Sequence, residues 1–69
     1  MSFSENLKEL REGYNLSQAE LAKRVGIAQS AIAHYERGVK LPNIITAVDL
    51  SNALGTTCEK LVMGENKEG

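Results

Sequence analysis

Apolar residues recur at three- and four-residue steps along this chain, in short runs separated by glycine. Phe3, Leu7 and Leu10 mark a first stripe, Leu21, Ala22 and Val25 a second, and Ile32 and Tyr35 a third. Ile44, Ala47, Val48, Leu50 and Leu54 supply a fourth, and Cys58, Leu61 and Val62 a short fifth. Spacing of this kind places apolar side chains on one face of a helix, so the pattern predicts an all-α protein of five helices.

The residues between the stripes predict where each helix begins and ends. Ser2 with Glu5, and Ser17 with Glu20, have the spacing of a capping box. In it a serine hydroxyl accepts from the amide three residues on, and the glutamate reaches back to the serine amide. The first helix is therefore expected over about Phe3 to Glu12, ending at Gly13, with Tyr14 and Leu16 closing over it. Asn15 reads as a turn residue, asparagine being the next best to glycine at positive φ. The second helix starts at Gln18 and ends at Gly26, where a left-handed backbone turns the chain and Ile27 plugs the corner. The third ends at Gly38. Pro42 disfavours helix at Leu41, Asn43 caps the fourth helix, Gly55 stops it, and Thr57 caps a last helix ended by Gly64. Residues 65–69 read as a polar, frayed tail.

The two central helices, over about residues 18–37, carry the candidate chemistry. With Ile32 and Tyr35 turned inward, Gln29, Ser30, Ala33, His34 and Arg37 are left mainly outward, a polar and small face. The chain resembles the helix-turn-helix domains of the phage repressor and Cro family, of the xenobiotic-response-element type. Gln18, Ala22, Gly26, Ile32, Tyr35, Glu36 and Gly38 match it, and LSQAELA, AQSAIAHYERG, ALG and LVMG fall in order at family spacing. The likeness runs over nearly the whole chain and implies a five-helix lambda-repressor-like DNA-binding domain.

In such domains the third helix lies in the major groove with its N-terminal residues against base edges, while the second touches backbone. By position this makes Gln29, Ser30, Ala33 and His34 the base-contacting candidates. A glutamine amide donates and accepts together, matching adenine N7 and N6, and is worth roughly 1 to 3 kcal/mol of discrimination when well placed. Ser30 reads less sharply, Ala33 suits a thymine methyl, and His34 can donate to guanine or phosphate. Gln18 is the implied phosphate clamp, sitting where free amides favour an anion. Arg37 and Lys40 are further phosphate candidates, Lys23 and Arg24 weaker ones. Each of these residues also has a plain reading as solvated surface. Ala28 departs from the family, which often has Ser or Thr there as a cap, so the front of the reading helix is expected to be less firmly fixed. The resemblance further implies an ion pair between Arg11 and Glu36, tying the first helix to the third. Leu61, Val62 and Met63, with parts of the fourth helix, are the candidate dimer surface, or else cover their own core. Two-fold pairing would set the reading helices about 34 to 36 Å apart.

Composition changes the picture in three ways. At 69 residues the chain holds one domain, with a total stability of roughly a few kcal/mol. It has no apolar run near the roughly 20 residues that span a bilayer and no signal peptide; its single cysteine, Cys58, reads as a small packing residue. A reducing cytoplasm is the default expectation. The net charge of −1 is low for a DNA binder. With Glu5, Glu9, Glu12, Glu59, Glu65 and Glu68 gathered in the first helix, last helix and tail, Arg37 and Lys40 form a basic edge. Weak nonspecific binding and reliance on a homodimer follow. No His or Cys cluster for metal and no phosphate-cradling glycine loop is present, so neither an enzyme nor a cofactor is expected. The reading is a sequence-specific transcriptional regulator, a repressor rather than an activator by analogy, on a palindromic operator. Its rival is a protein-interaction module, such as an antitoxin that touches DNA only with its partner.

Overall fold

A computed structural model describes residues 2–63 and shows, among them, five α-helices and no strand. They are α1 (Phe3–Gly13), α2 (Gln18–Val25), α3 (Gln29–Arg37), α4 (Ile44–Ala53) and α5 (Cys58–Met63). Gly64 and the tail at 65–69, expected to end the last helix and fray, lie outside the described residues. Both capping boxes are formed: the Ser2 hydroxyl accepts from the Glu5 amide at 3.3 Å, and the Ser17 hydroxyl from the Glu20 amide at 3.0 Å. Asn43 and Thr57 cap α4 and α5 by accepting from the amides of Thr46 and Lys60.

Phe3, Leu7, Leu21, Ala22, Ile32, Leu50, Leu54 and Leu61 make one core, with contributions from every helix. α3 sits against both α1 and α2, while α4 and α5 pack on α2 and α1 respectively and on each other. Phe3 and Tyr35 meet edge to face, ring centres 6.2 Å apart, joining the start of α1 to the last turn of α3. Three polar side chains are buried, Asn6, Arg11 and Ser51, and each makes at least one hydrogen bond, as burial demands. Asn6 donates to the Leu61 carbonyl at 3.1 Å, and the Ser51 hydroxyl donates to the Val48 carbonyl at 2.8 Å. Cys58 is half-buried with its sulfur 3.5 Å from the Ser51 hydroxyl.

Four expectations change. Gly13 does not stop α1 but stays helical, while Asn15 takes the positive φ expected of it, at 58°. Leu16 packs against the core, whereas Tyr14 is exposed, its ring lying over Gly55 rather than closing on α1. In α4 the apolar residues run almost all the way round, so the pattern alone does not choose a face. The core takes Ala47, Leu50 and Leu54, leaving Ile44 75% and Ile45 71% exposed and Val48 on the surface. Leu61, a candidate either for a dimer surface or for covering its own core, is fully buried in the core and so leaves the dimer candidates. Its neighbours Val62 and Met63 are the exposed residues of that trio.

Candidate nucleic-acid interface

The α2–turn–α3 unit is set by its glycines and its core plugs. Gly26 adopts φ 85°, a conformation that side chains resist, and its amide bonds back to the Ala22 carbonyl. Ile27 packs into the corner behind it. α3 then begins after Ala28, which has backbone of the capping type but no side chain to accept from the first turn. The first turn of α3 therefore lacks the side-chain partner that Ser17 and Asn43 provide for α2 and α4.

On that turn Gln29 and Ser30 are exposed, with their side chains free to meet a partner. Ala33 and His34 are half-buried, so each presents an edge rather than a whole side chain. Gln29, Ala33 and Arg37 follow one another at four-residue spacing and share a face of α3. Arg37 and Lys40 are exposed at its end and in the loop beyond, and Lys23 and Arg24 are exposed on α2.

Behind this surface lies a buried polar lock. Arg11 donates from Nε and Nη2 to the two carboxylate oxygens of Glu36, at 2.6 and 3.1 Å, and from Nη1 to the Leu16 carbonyl at 2.6 Å. The guanidinium pKa is raised above its ordinary value, chiefly by the hydrogen bond to Glu36, which outweighs burial. Gln18 joins the same carboxylate, its Nε2 donating to Glu36 Oε1 at 3.1 Å. One carboxylate on α3 thus gathers a cation from α1 and an amide from α2. An amide nitrogen has two N–H groups, and the second of Gln18 has no partner among the described residues.

The helix-turn-helix family pattern matches residues 7–61. The chain belongs to the helix-turn-helix family. It is 38% identical over 66 residues to the uncharacterized HTH-type transcriptional regulator YqaE of Bacillus subtilis (strain 168), covering 96% of this chain and 57% of that protein. It is 35% identical over 65 residues to the HTH-type transcriptional activator BcrR of Enterococcus faecalis, covering 94% of this chain and 32% of that one. The chain thus spans roughly a third to three-fifths of the length of these curated relatives. The crystal structure of the P22 c2 repressor protein in complex with a synthetic operator superposes with a TM-score of 0.90 at 31% identity, over 94% of this chain and 98% of that one.

Seen as a helix-turn-helix protein, the molecule holds one feature that the residue pattern did not reveal. Gln18 was expected to face a phosphate, and its amide instead spends one donor inside the domain on Glu36. The signal was present in part: a pair between α1 and the end of α3 needs its carboxylate close to the start of α2. Only the packing angle, which no spacing encodes, shows that the Gln18 side chain reaches it.

Proposed function

We propose that this chain is a sequence-specific DNA-binding transcriptional regulator that reads a palindromic operator as a dimer. The observation that carries this reading is the exposed first turn of α3, bearing Gln29 and Ser30, on a helix anchored from behind by the buried Arg11, Glu36 and Gln18 lock. A reading helix discriminates bases only when its side chains are held to within a fraction of an ångström, and the lock joins α3 to both preceding helices. The likeness to a repressor in complex with operator DNA supports the same reading.

Gln29 and Ser30 read base edges, with Ala33 and His34 adding contacts from their half-exposed edges. Arg37 and Lys40 bind phosphate, as does the remaining Gln18 donor near the positive end of α2. Two copies pair through the exposed apolar residues of α4 and α5, Val62 and Met63 among them. Repression is the simpler sign, since occupancy alone blocks transcription, and no catalytic step or cofactor enters. The cytoplasm is the compartment this reading requires.

A second reading is favoured by the net charge of −1 and by the exposed Leu41, Ile44 and Ile45. It is a module that engages DNA only with a protein partner. Selection from a random duplex pool by the purified chain, with Gln29→Ala beside it, separates the two. An enriched palindrome whose preference relaxes at one position in the variant supports the self-sufficient reader. No enrichment from folded protein at low salt overturns it in favour of the partner-dependent module.

A further inference from the structure

Away from the α3 surface, a groove of about 320 Å³ runs between α1 and the turn from α4 to α5. None of its lining residues belongs to the set that the DNA reading uses. Its volume falls at the lower end of the roughly 300 to 1,000 Å³ of small-molecule sites.

The lining is chemically specific. Leu10 and Leu54 supply apolar wall, and the Tyr14 ring lies over Gly55, where its hydroxyl would be 3.0 Å from any added β-carbon. Glu9 and Lys60 also line the groove, yet they do not pair with each other: the ion pairs found among the described residues join Arg11 to Glu12 and to Glu36. At the inner end is Asn6, only 5% exposed. Its amide nitrogen donates to the Leu61 carbonyl, which can only accept, so the orientation of the amide is settled by chemistry. The Asn6 Oδ1 is left with no hydrogen-bond donor among the described residues, in a side chain that lines the groove. That oxygen is not sealed from solvent but opens to the groove, where a ligand's donor can reach it.

We propose that this groove binds a small zwitterion, a free α-amino acid with an apolar side chain. Its ammonium group meets Glu9 and the Asn6 Oδ1, its carboxylate meets Lys60, and its side chain lies against Leu10, Leu54 and the Tyr14 ring. A ligand with one charge would leave either Glu9 or Lys60 unanswered. The bound molecule bridges α1 to the α4–α5 turn, so it stabilises the folded domain by mass action.

The test is a titration of the isotopically labelled full chain, without DNA, with each of the twenty free L-amino acids up to about 10 mM. Far-UV circular dichroism checks that each protein is folded. At least one apolar amino acid is expected to shift the amide signals of Asn6, Tyr14, Gly55 and Thr56 saturably. Its N-acetyl and carboxamide forms, each lacking one charge, are expected to bind about tenfold or more weakly, as is the free amino acid to Glu9→Gln and to Lys60→Gln. Both substituted side chains are exposed, so the fold is retained. No saturable shift with any of the twenty overturns the proposal, as does binding that neither the capped ligands nor the two substitutions weaken. Because no DNA is present, either result leaves the reading of α3 untouched.

Discussion

Glu36 on α3 holds Arg11 on α1 through both of its carboxylate oxygens, and the two side chains are 5% and 11% exposed. Burial makes this pair different from a surface bridge, which contributes about 0 to 1 kcal/mol. Removing one partner leaves the other charge buried without compensation, at a cost of about 3 to 5 kcal/mol. In a domain this small that is comparable to the whole stability. Arg11→Met and Glu36→Gln are each expected to unfold much of the population at 25 °C. The double variant should be less destabilised than the two single effects added together. Urea unfolding of all four proteins, arranged as a double-mutant cycle, measures the coupling; a coupling near zero would show that the pair is incidental.

Leu61 and Met63 stand two residues apart and face opposite environments, one fully buried and one 69% exposed. Leu61→Ala should cost about 2 to 5 kcal/mol through the cavity it leaves. Met63→Ser and Val62→Ser should change the stability of the folded monomer by no more than about 0.5 kcal/mol. If Val62 and Met63 pair two copies, both serine variants also weaken dimerisation, read from the concentration dependence of sedimentation in analytical ultracentrifugation. Unchanged association in both would move the dimer contact elsewhere.

How far the residue pattern discloses this molecule depends on whether the information is local. Capping at Ser2, Ser17, Asn43 and Thr57 depends on three-residue spacings, and each cap forms where the pattern predicts it. The glycine at 26 and the asparagine at 15 declare their positive φ by residue type alone. Ile44 and Val48 did not declare their exposure, because α4 is apolar on nearly every side and only the position of α2 and α5 decides which face is covered. The Arg11 and Glu36 pair became visible through family resemblance, since 25 residues separate them. The Gln18 bond to Glu36 was visible only in part, for the reach of its side chain depends on how α2 crosses α3.

Arg37 and Lys40 test the electrostatic part of the proposed DNA contact. Each phosphate contact made by a cation releases counterions, so its loss flattens the dependence of affinity on salt. Arg37→Gln and Lys40→Gln are expected to weaken binding to every duplex alike and to lower the salt slope by about 1 each. Gln29→Ala should instead leave the slope alone and cost about 1 to 3 kcal/mol against the selected operator. Fluorescence anisotropy over a series of salt concentrations distinguishes them. A salt slope unmoved by either cation variant would remove both from the interface.

Glu20 provides a pH test confined to the start of α2. Its carboxylate accepts from the Ser17 amide at 2.7 Å, and that hydrogen bond, with a further one involving the Ser17 side chain, holds its pKa below the ordinary 4.5. A carboxyl group with a depressed folded-state pKa contributes stability that is fully present above the unfolded value and is lost as pH falls through the folded one. The contribution of Glu20 is therefore intact at neutral pH and disappears on acidification below about 4.5. Glutamine can make the same reciprocal capping contact without a titrating charge. Glu20→Gln should thus be slightly less stable than the parent at pH 7, through the lost charge near the positive end of the helix. The gap should close as the pH is lowered toward 3, in urea unfolding followed by circular dichroism. A gap that stays constant over that range would mean that the charge of Glu20 adds nothing to the cap.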